Sequence, residues 1–112
     1  MIIIISAQEP KIESSINERF GRSPYLIKVD TQDMKWEGFP NPGVSQSGGA
    51  GIAAAQFVID QKAEAVISGD FGPNASRTLG AVGVHMHIFT KEIQSVLQAV
   101  ELFKEGKLPT GG

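Results

Sequence analysis

Near its start the chain carries Ile2-Ile3-Ile4-Ile5, four β-branched residues in a row. Such side chains crowd a helix and suit extended backbone. Because side chains alternate across a strand, an unbroken run puts isoleucine on both faces, and both faces then need apolar cover. The run predicts a central strand in a sheet with helices packed on each side. It is too short for a membrane span or a signal segment and no basic stretch precedes it, which fits a buried strand of a cytoplasmic protein. At 112 residues the chain has room for one core, not two.

Downstream, the stretch from Ala7 to Ser23 turns polar and predicts a long loop. Tyr25 to Val29 reads as a second strand, and Asp30 to Asp33 as the turn into a third, Lys35 to Phe39. The short spacing makes these three a meander. The breaker-rich Pro40-Asn41-Pro42-Gly43 and the glycine loop Ser47-Gly48-Gly49-Ala50-Gly51 then open a helix across Ile52 to Ile59, whose Ala53, Ala54 and Ala55 permit close packing on a sheet. Ala65 to Ser68 is a short buried strand. Gly69-Asp70-Phe71-Gly72 leads through Pro73, a natural first helical residue, into a second helix that stops at Gly83. Val84 to Phe89 is the last strand, Thr90 a helix cap, and Ile93, Val96, Leu97, Val100 and Phe103 the apolar stripe of a final helix closed by Gly106. Residues 1–106 thus form a single domain, and 107–112 are expected to be a loose tail.

The order βββαβαβα, with right-handed crossovers after the meander, predicts an α/β fold: a five-stranded mixed sheet in the order 3-2-1-4-5 with strand two alone antiparallel. That is the three-layer, RNase H-like topology. It gathers the carboxyl ends of strands one, three, four and five at one edge, where open α/β sheets hold their ligands. The segment Glu18-Arg19-Phe20-Gly21-Arg22 and both glycine-rich helix starts meet there. Unpaired amides and partial positive charge at helix starts attract anions, and two arginines reinforce the field. The candidate binding residues are Arg19, Phe20, Gly21, Arg22, Gly48, Gly49, Gly51, Gly69, Asp70, Gly72 and Asn74.

Several chemistries are excluded. No lysine follows the glycines as in a phosphate-binding loop, and the first strand runs into Ser6-Ala7-Gln8-Glu9 with no glycine, so neither ATP nor NAD is expected. A formal charge of −2 gives no basic footprint for nucleic acid. Zero cysteines remove disulfides, thiolate nucleophiles and thiolate cages for metal. A two-metal nuclease of this topology needs a carboxylate on the first strand, which has none.

At these residues the sequence resembles the dinitrogenase iron-molybdenum cofactor biosynthesis family, which includes NifX, NafY and the C-terminal domain of NifB. The likeness is carried by Ser15-Ile16-Asn17-Glu18-Arg19-Phe20-Gly21-Arg22-Ser23-Pro24-Tyr25, by Asn41-Pro42 with Gly48-Gly49-Ala50-Gly51-Ile52-Ala53-Ala54-Ala55, and by Ser68-Gly69-Asp70-Phe71-Gly72-Pro73-Asn74-Ala75. The resemblance implies an RNase H-like fold and a small protein that binds or carries an iron-sulfur or iron-molybdenum cluster without catalysis, exchanging it with a donor or acceptor protein. Relatives often carry His just before the Phe-Gly of the first motif. Here that position is Arg19, whose guanidinium has no lone pair for a metal, so charge pairing with an anionic cluster takes the place of ligation.

Imidazole could come from His85 and His87, which share one side of a strand. They are either a ligand pair or the solvent side of an edge strand with Val84, Met86 and Ile88 inward, and His87, nearer the ligand edge, is the candidate metal ligand. Asp70 could hold a metal or bond backbone amides, Asn74 could touch ligand or cap locally, and Phe20 and Phe71 could wall a pocket or pack beneath the loops. A membrane partner is not expected. The alternative to a metallocluster-binding or carrier protein is a regulatory or protein-interaction module of the same fold that needs no cofactor.

Overall fold

The computed structural model describes residues 1–111. Its strands are β1 (Ile2–Ala7), β2 (Tyr25–Asp30), β3 (Trp36–Pro40), β4 (Ala65–Ser68) and β5 (His85–Ile88), and its helices α1 (Ala50–Asp60), α2 (Gly72–Ala81) and α3 (Val96–Lys104). Two short 3-10 turns, Phe20–Arg22 and Pro42–Ser45, interrupt the loops. The sheet order is β3-β2-β1-β4-β5, with β2 antiparallel to both neighbours and β1, β4 and β5 parallel, as the meander and the right-handed crossovers predict.

The isoleucine run accounts for the layering. Ile3 and Ile5 point toward α3, into a core with Ile27, Val29, Ile67, Val96, Ala99 and Val100. Ile4 points the other way, to Leu26, Val66, Ala54, Ala55, Val58 and Leu79 beneath α1 and α2. All three isoleucines are fully buried. At about 1.5–3 kcal/mol for each such side chain removed from water, the run anchors both sides of the sheet. The alanines of α1 bring that helix close to the sheet, and Ala75 of α2 lies beside Gly51 of α1.

Two details depart from the sequence expectation. Thr90 is not the cap of the last helix. Lys91 and Glu92 form a turn, and Ser95 caps α3 by accepting from the Gln98 amide, so Ile93 reaches the core from outside the helix. The tail is also tied down rather than loose. Ile88 N–H donates to Pro109 C=O at 2.9 Å, Gly111 N–H donates to Met86 C=O at 3.1 Å, His87 bridges Thr110, and Leu108 is buried. An otherwise open edge of β5 offers unpaired amides and carbonyls, and the tail satisfies them. Gly112 lies outside the described residues.

Candidate functional site

The long first loop is pinned at both ends of its second half. Ser6 in β1 accepts or donates within a buried hydroxyl pair with Ser68 of β4, 2.7 Å apart, and its Oγ also lies 2.7 Å from the Asn17 carbonyl. Further on, Asp70 N–H donates to Glu18 C=O at 2.6 Å and Phe20 N–H donates to Asp70 C=O at 3.0 Å, a parallel bridge that joins the arginine segment to the second glycine loop. The sequence gives no signal for that pairing. It makes one rigid unit of two segments about 50 residues apart.

The next strut is Asn41, which sequence reasoning named only within a motif. It is buried, and its Nδ2 donates to Phe20 C=O at 2.9 Å and Ser23 Oγ at 3.2 Å, while its Oδ1 accepts from Gly43 N–H at 3.0 Å. Both 3-10 turns are thereby clasped together. Glycine permits the clasp: a Cβ on Gly21 would sit 3.0 Å from Gly51 N and 3.1 Å from Gly51 Cα, and one on Gly43 would collide with Gly21 O. The first turn of α1 can approach the loop only because these positions lack side chains.

What results is an open cavity of about 240 Å³ lined by Arg19, Phe20, Gly21 and Arg22 on one side and by Ala50-Gly51 and Asp70 to Ala75 on the other. Its floor is aromatic. Phe20 and Phe71 are buried with ring centroids 5.3 Å apart, so they both pack beneath the loops and wall the cavity. Its rim is polar and positively biased. Neither α1 nor α2 has a side-chain cap at its N-cap residue, neither carries an acidic residue in its first turn, and both begin at the cavity. Gly72, at φ +75°, turns the chain into α2, and Asp70 Oδ1 accepts from its amide at 3.1 Å. Two guanidinium groups against that one carboxylate leave the lining net positive.

The arginines differ. Arg22 Nη1 donates to Gln46 C=O at 2.8 Å, which fixes its stem across the rim. Arg19 is exposed, and among the described residues its side chain makes no ion pair, leaving its guanidinium available to a ligand. Asn74 lines the cavity while its Oδ1 accepts from Arg77 Nη1 at 3.4 Å.

Of the candidate residues, Arg19, Phe20, Gly21, Arg22, Gly51, Asp70, Gly72 and Asn74 come together with Phe71, the other expected pocket wall, joined by Ala50, Pro73 and Ala75, which no sequence signal singled out for the site. Gly48 and Gly49 stand behind the rim, Gly49 as the left-handed residue before α1. Gly69 lies beneath it, against Glu18. His87 is apart from the cavity. Rather than facing solvent it is half-buried edge-on to Phe103, ring centroids 5.1 Å apart, and its Nδ1 has no partner among the described residues. Among the described residues, no three of His, Cys, Asp and Glu gather as a metal cage.

The model of one family, described as dinitrogenase iron-molybdenum cofactor, matches residues 1–106. The chain belongs to that family. Among solved structures, the apo form of the orange protein from Desulfovibrio gigas is 31% identical, with 99% of this chain and 92% of that one covered at a TM-score of 0.91. A candidate NifB protein from Thermotoga is 28% identical, covering 97% of this chain and 91% of that one at a TM-score of 0.79. A candidate dinitrogenase from Methanocaldococcus jannaschii, 14% identical over 100% of this chain and 95% of that one, shares the fold at a TM-score of 0.73. Among curated proteins, none matches the chain. Among the described residues no helix is long and apolar enough to cross a membrane.

Proposed function

We propose that this chain binds an anionic metallocluster, of iron-sulfur or iron-molybdenum type, in the cavity between the arginine segment and the two helix starts, and carries it without chemical turnover. The observation that carries the reading is the pair of helix starts, neither capped by its N-cap side chain and only the Gly72 amide held by Asp70, both opening on a cavity rimmed by Arg19 and Arg22. Uncapped amides need acceptors, and an anion supplies them.

The donor set suits the outer surface of a cluster rather than its metal. Amides and guanidinium groups donate hydrogen bonds to sulfide, oxide or carboxylate, and Asp70 is the lining's one carboxylate, with the Asn74 amide oxygen engaged by Arg77. The cluster is therefore held whole, by charge and hydrogen bonds, with its own ligands intact. Such attachment suits a cargo that has to leave again. Phe20 and Phe71 give the cluster an apolar seat that limits water beneath it. A protein that donates or receives the cluster is the natural partner.

The test is elemental analysis and absorption spectroscopy on protein purified without oxygen, followed by anaerobic loading with iron-molybdenum cofactor or its iron-sulfur precursor. Uptake of about one cluster per chain is expected, weakened about tenfold or more in Arg19→Ala, since charge-assisted hydrogen bonds contribute about 1.5–3 kcal/mol. Equal uptake by the wild type and an Arg19→Ala, Arg22→Ala double variant overturns the reading. A colourless protein that instead captures a specific partner supports the cofactor-free module.

A further inference from the structure

Among the described residues no strand or tail pairs with the edge of the sheet opposite β5, although Pro10 of the first loop packs over the face of Gly38. Asp30 N–H donates to Lys35 C=O at 2.9 Å, which fixes the register parity between β2 and β3. In an antiparallel ladder hydrogen-bonded pairs alternate with non-bonded ones, so Lys35, Glu37 and Phe39 turn their main-chain groups toward β2. Trp36 and Gly38 turn theirs outward. Trp36 is also 41% exposed, and it is the protein's single tryptophan. Pro40 has no N–H, which closes the far end of the strand to pairing.

We propose that this edge pairs antiparallel with β3 of a second copy of the chain, about a two-fold axis between the two Trp36 residues. The side chains select both the occupant and the register. Centred on Trp36, the pairing sets Lys35 opposite Glu37 of the other copy, and Glu37 opposite Lys35, two opposite-charge pairs generated by one axis. Centred one residue later, it sets Glu37 against Glu37. Centred on Gly38, it leaves Trp36 opposite Pro40, which cannot donate. Lys35 and Glu37 are both exposed, and among the described residues neither makes an ion pair. Lys28, the neighbour of Glu37 on β2, is engaged with Gln61 Oε1 at 3.1 Å. The two indoles meet on the sheet face that carries α3, where exposed aromatic surface gains most from pairing.

A strand this short buries far less than the roughly 1,600 Å² of a standard interface, so the association is weak and concentration-dependent. Sedimentation velocity from about 10 µM to about 1 mM, read beside Trp36 fluorescence, tests it. Dimer formation with a blue-shifted emission is expected at the upper end. Lys35→Glu and Glu37→Lys each replace both attractive pairs by repulsive ones and weaken association about fivefold or more. The combined Lys35→Glu, Glu37→Lys variant exchanges the charges and restores it to near the wild-type value. Lys35 and Glu37 are both exposed, so circular dichroism should show an unchanged fold. A monomer at every concentration overturns the proposal, and so does a dimer indifferent to the single reversals or not recovered in the exchange. Because β3 lines no part of the cluster cavity, loading of the cluster is independent of either result.

Discussion

Replacing Gly21 by alanine probes the close approach on which the cavity depends. The added Cβ would lie 3.0 Å from Gly51 N, 3.1 Å from Gly51 Cα and 3.3 Å from Ala50 C, all main-chain atoms of the first turn of α1. No side chain can swing away, so the loop or the helix start must retreat by several tenths of an ångström. Inserting one methyl into a packed, unyielding site costs about 1–3 kcal/mol. With an unfolding entropy of about 2.1 cal/mol/K per residue over 112 residues, each kcal/mol lowers the midpoint by about 4 °C, giving an expected drop of about 4–13 °C. Gly48→Ala is the control, because a Cβ there meets nothing within 4 Å and its φ is not in the left-handed region. Thermal unfolding followed by circular dichroism reads both variants. A Gly21→Ala protein as stable as wild type, or no more affected than Gly48→Ala, would show that loop and helix do not meet as described.

Asn41→Ala leaves the buried Phe20 carbonyl and Gly43 amide without the partner that clasps the two turns, and should cost about 2–4 kcal/mol in urea unfolding. Deleting residues 108–112 removes buried Leu108 and uncovers β5. It should lower stability by about 2 kcal/mol and speed hydrogen exchange at the Ile88 amide. The Gln32 amide, donating to Asp30 Oδ1 at 2.9 Å, holds the Asp30 carboxyl below the usual aspartate range. With a folded value under the unfolded one, its contribution is present above the ordinary carboxyl range and is lost as pH falls through the folded value. An NMR titration should find the Asp30 midpoint beneath the usual aspartate range, and the effect on stability is small because the group is solvent-accessible.

Much of this architecture could be read from the chain because it follows from short-range rules. The isoleucine run implies cover on both faces, glycine and proline mark each turn, and the crossover rule then leaves one sheet order. Arg19, Arg22 and the helix starts could be grouped at one edge on topology alone. The missing parts are those where distant segments meet. Nothing in Glu18 to Phe20 announces a bridge to Asp70, and nothing near Gly21 announces Gly51 as its neighbour. Thr90 and Ser95 both suit a helix cap, and only the Ser14 and Ile12 carbonyls, which bind the amides of Val96 and Leu97, place the helix start beyond the first of them. The tail reads as loose because Leu108 is a single apolar residue among Lys107, Pro109 and Thr110, yet that residue is buried under the sheet.

Paramagnetic broadening of amide signals, recorded by NMR on the protein loaded without oxygen with an iron-containing cluster, locates the cargo most directly. Signals of Arg19 to Arg22, Ala50, Gly51, Gly72, Asn74 and Ala75 should broaden first, leaving β3 and the tail sharp. Broadening centred on His87 and Thr110, or spread evenly over the surface, would contradict a cluster seated at the two helix starts.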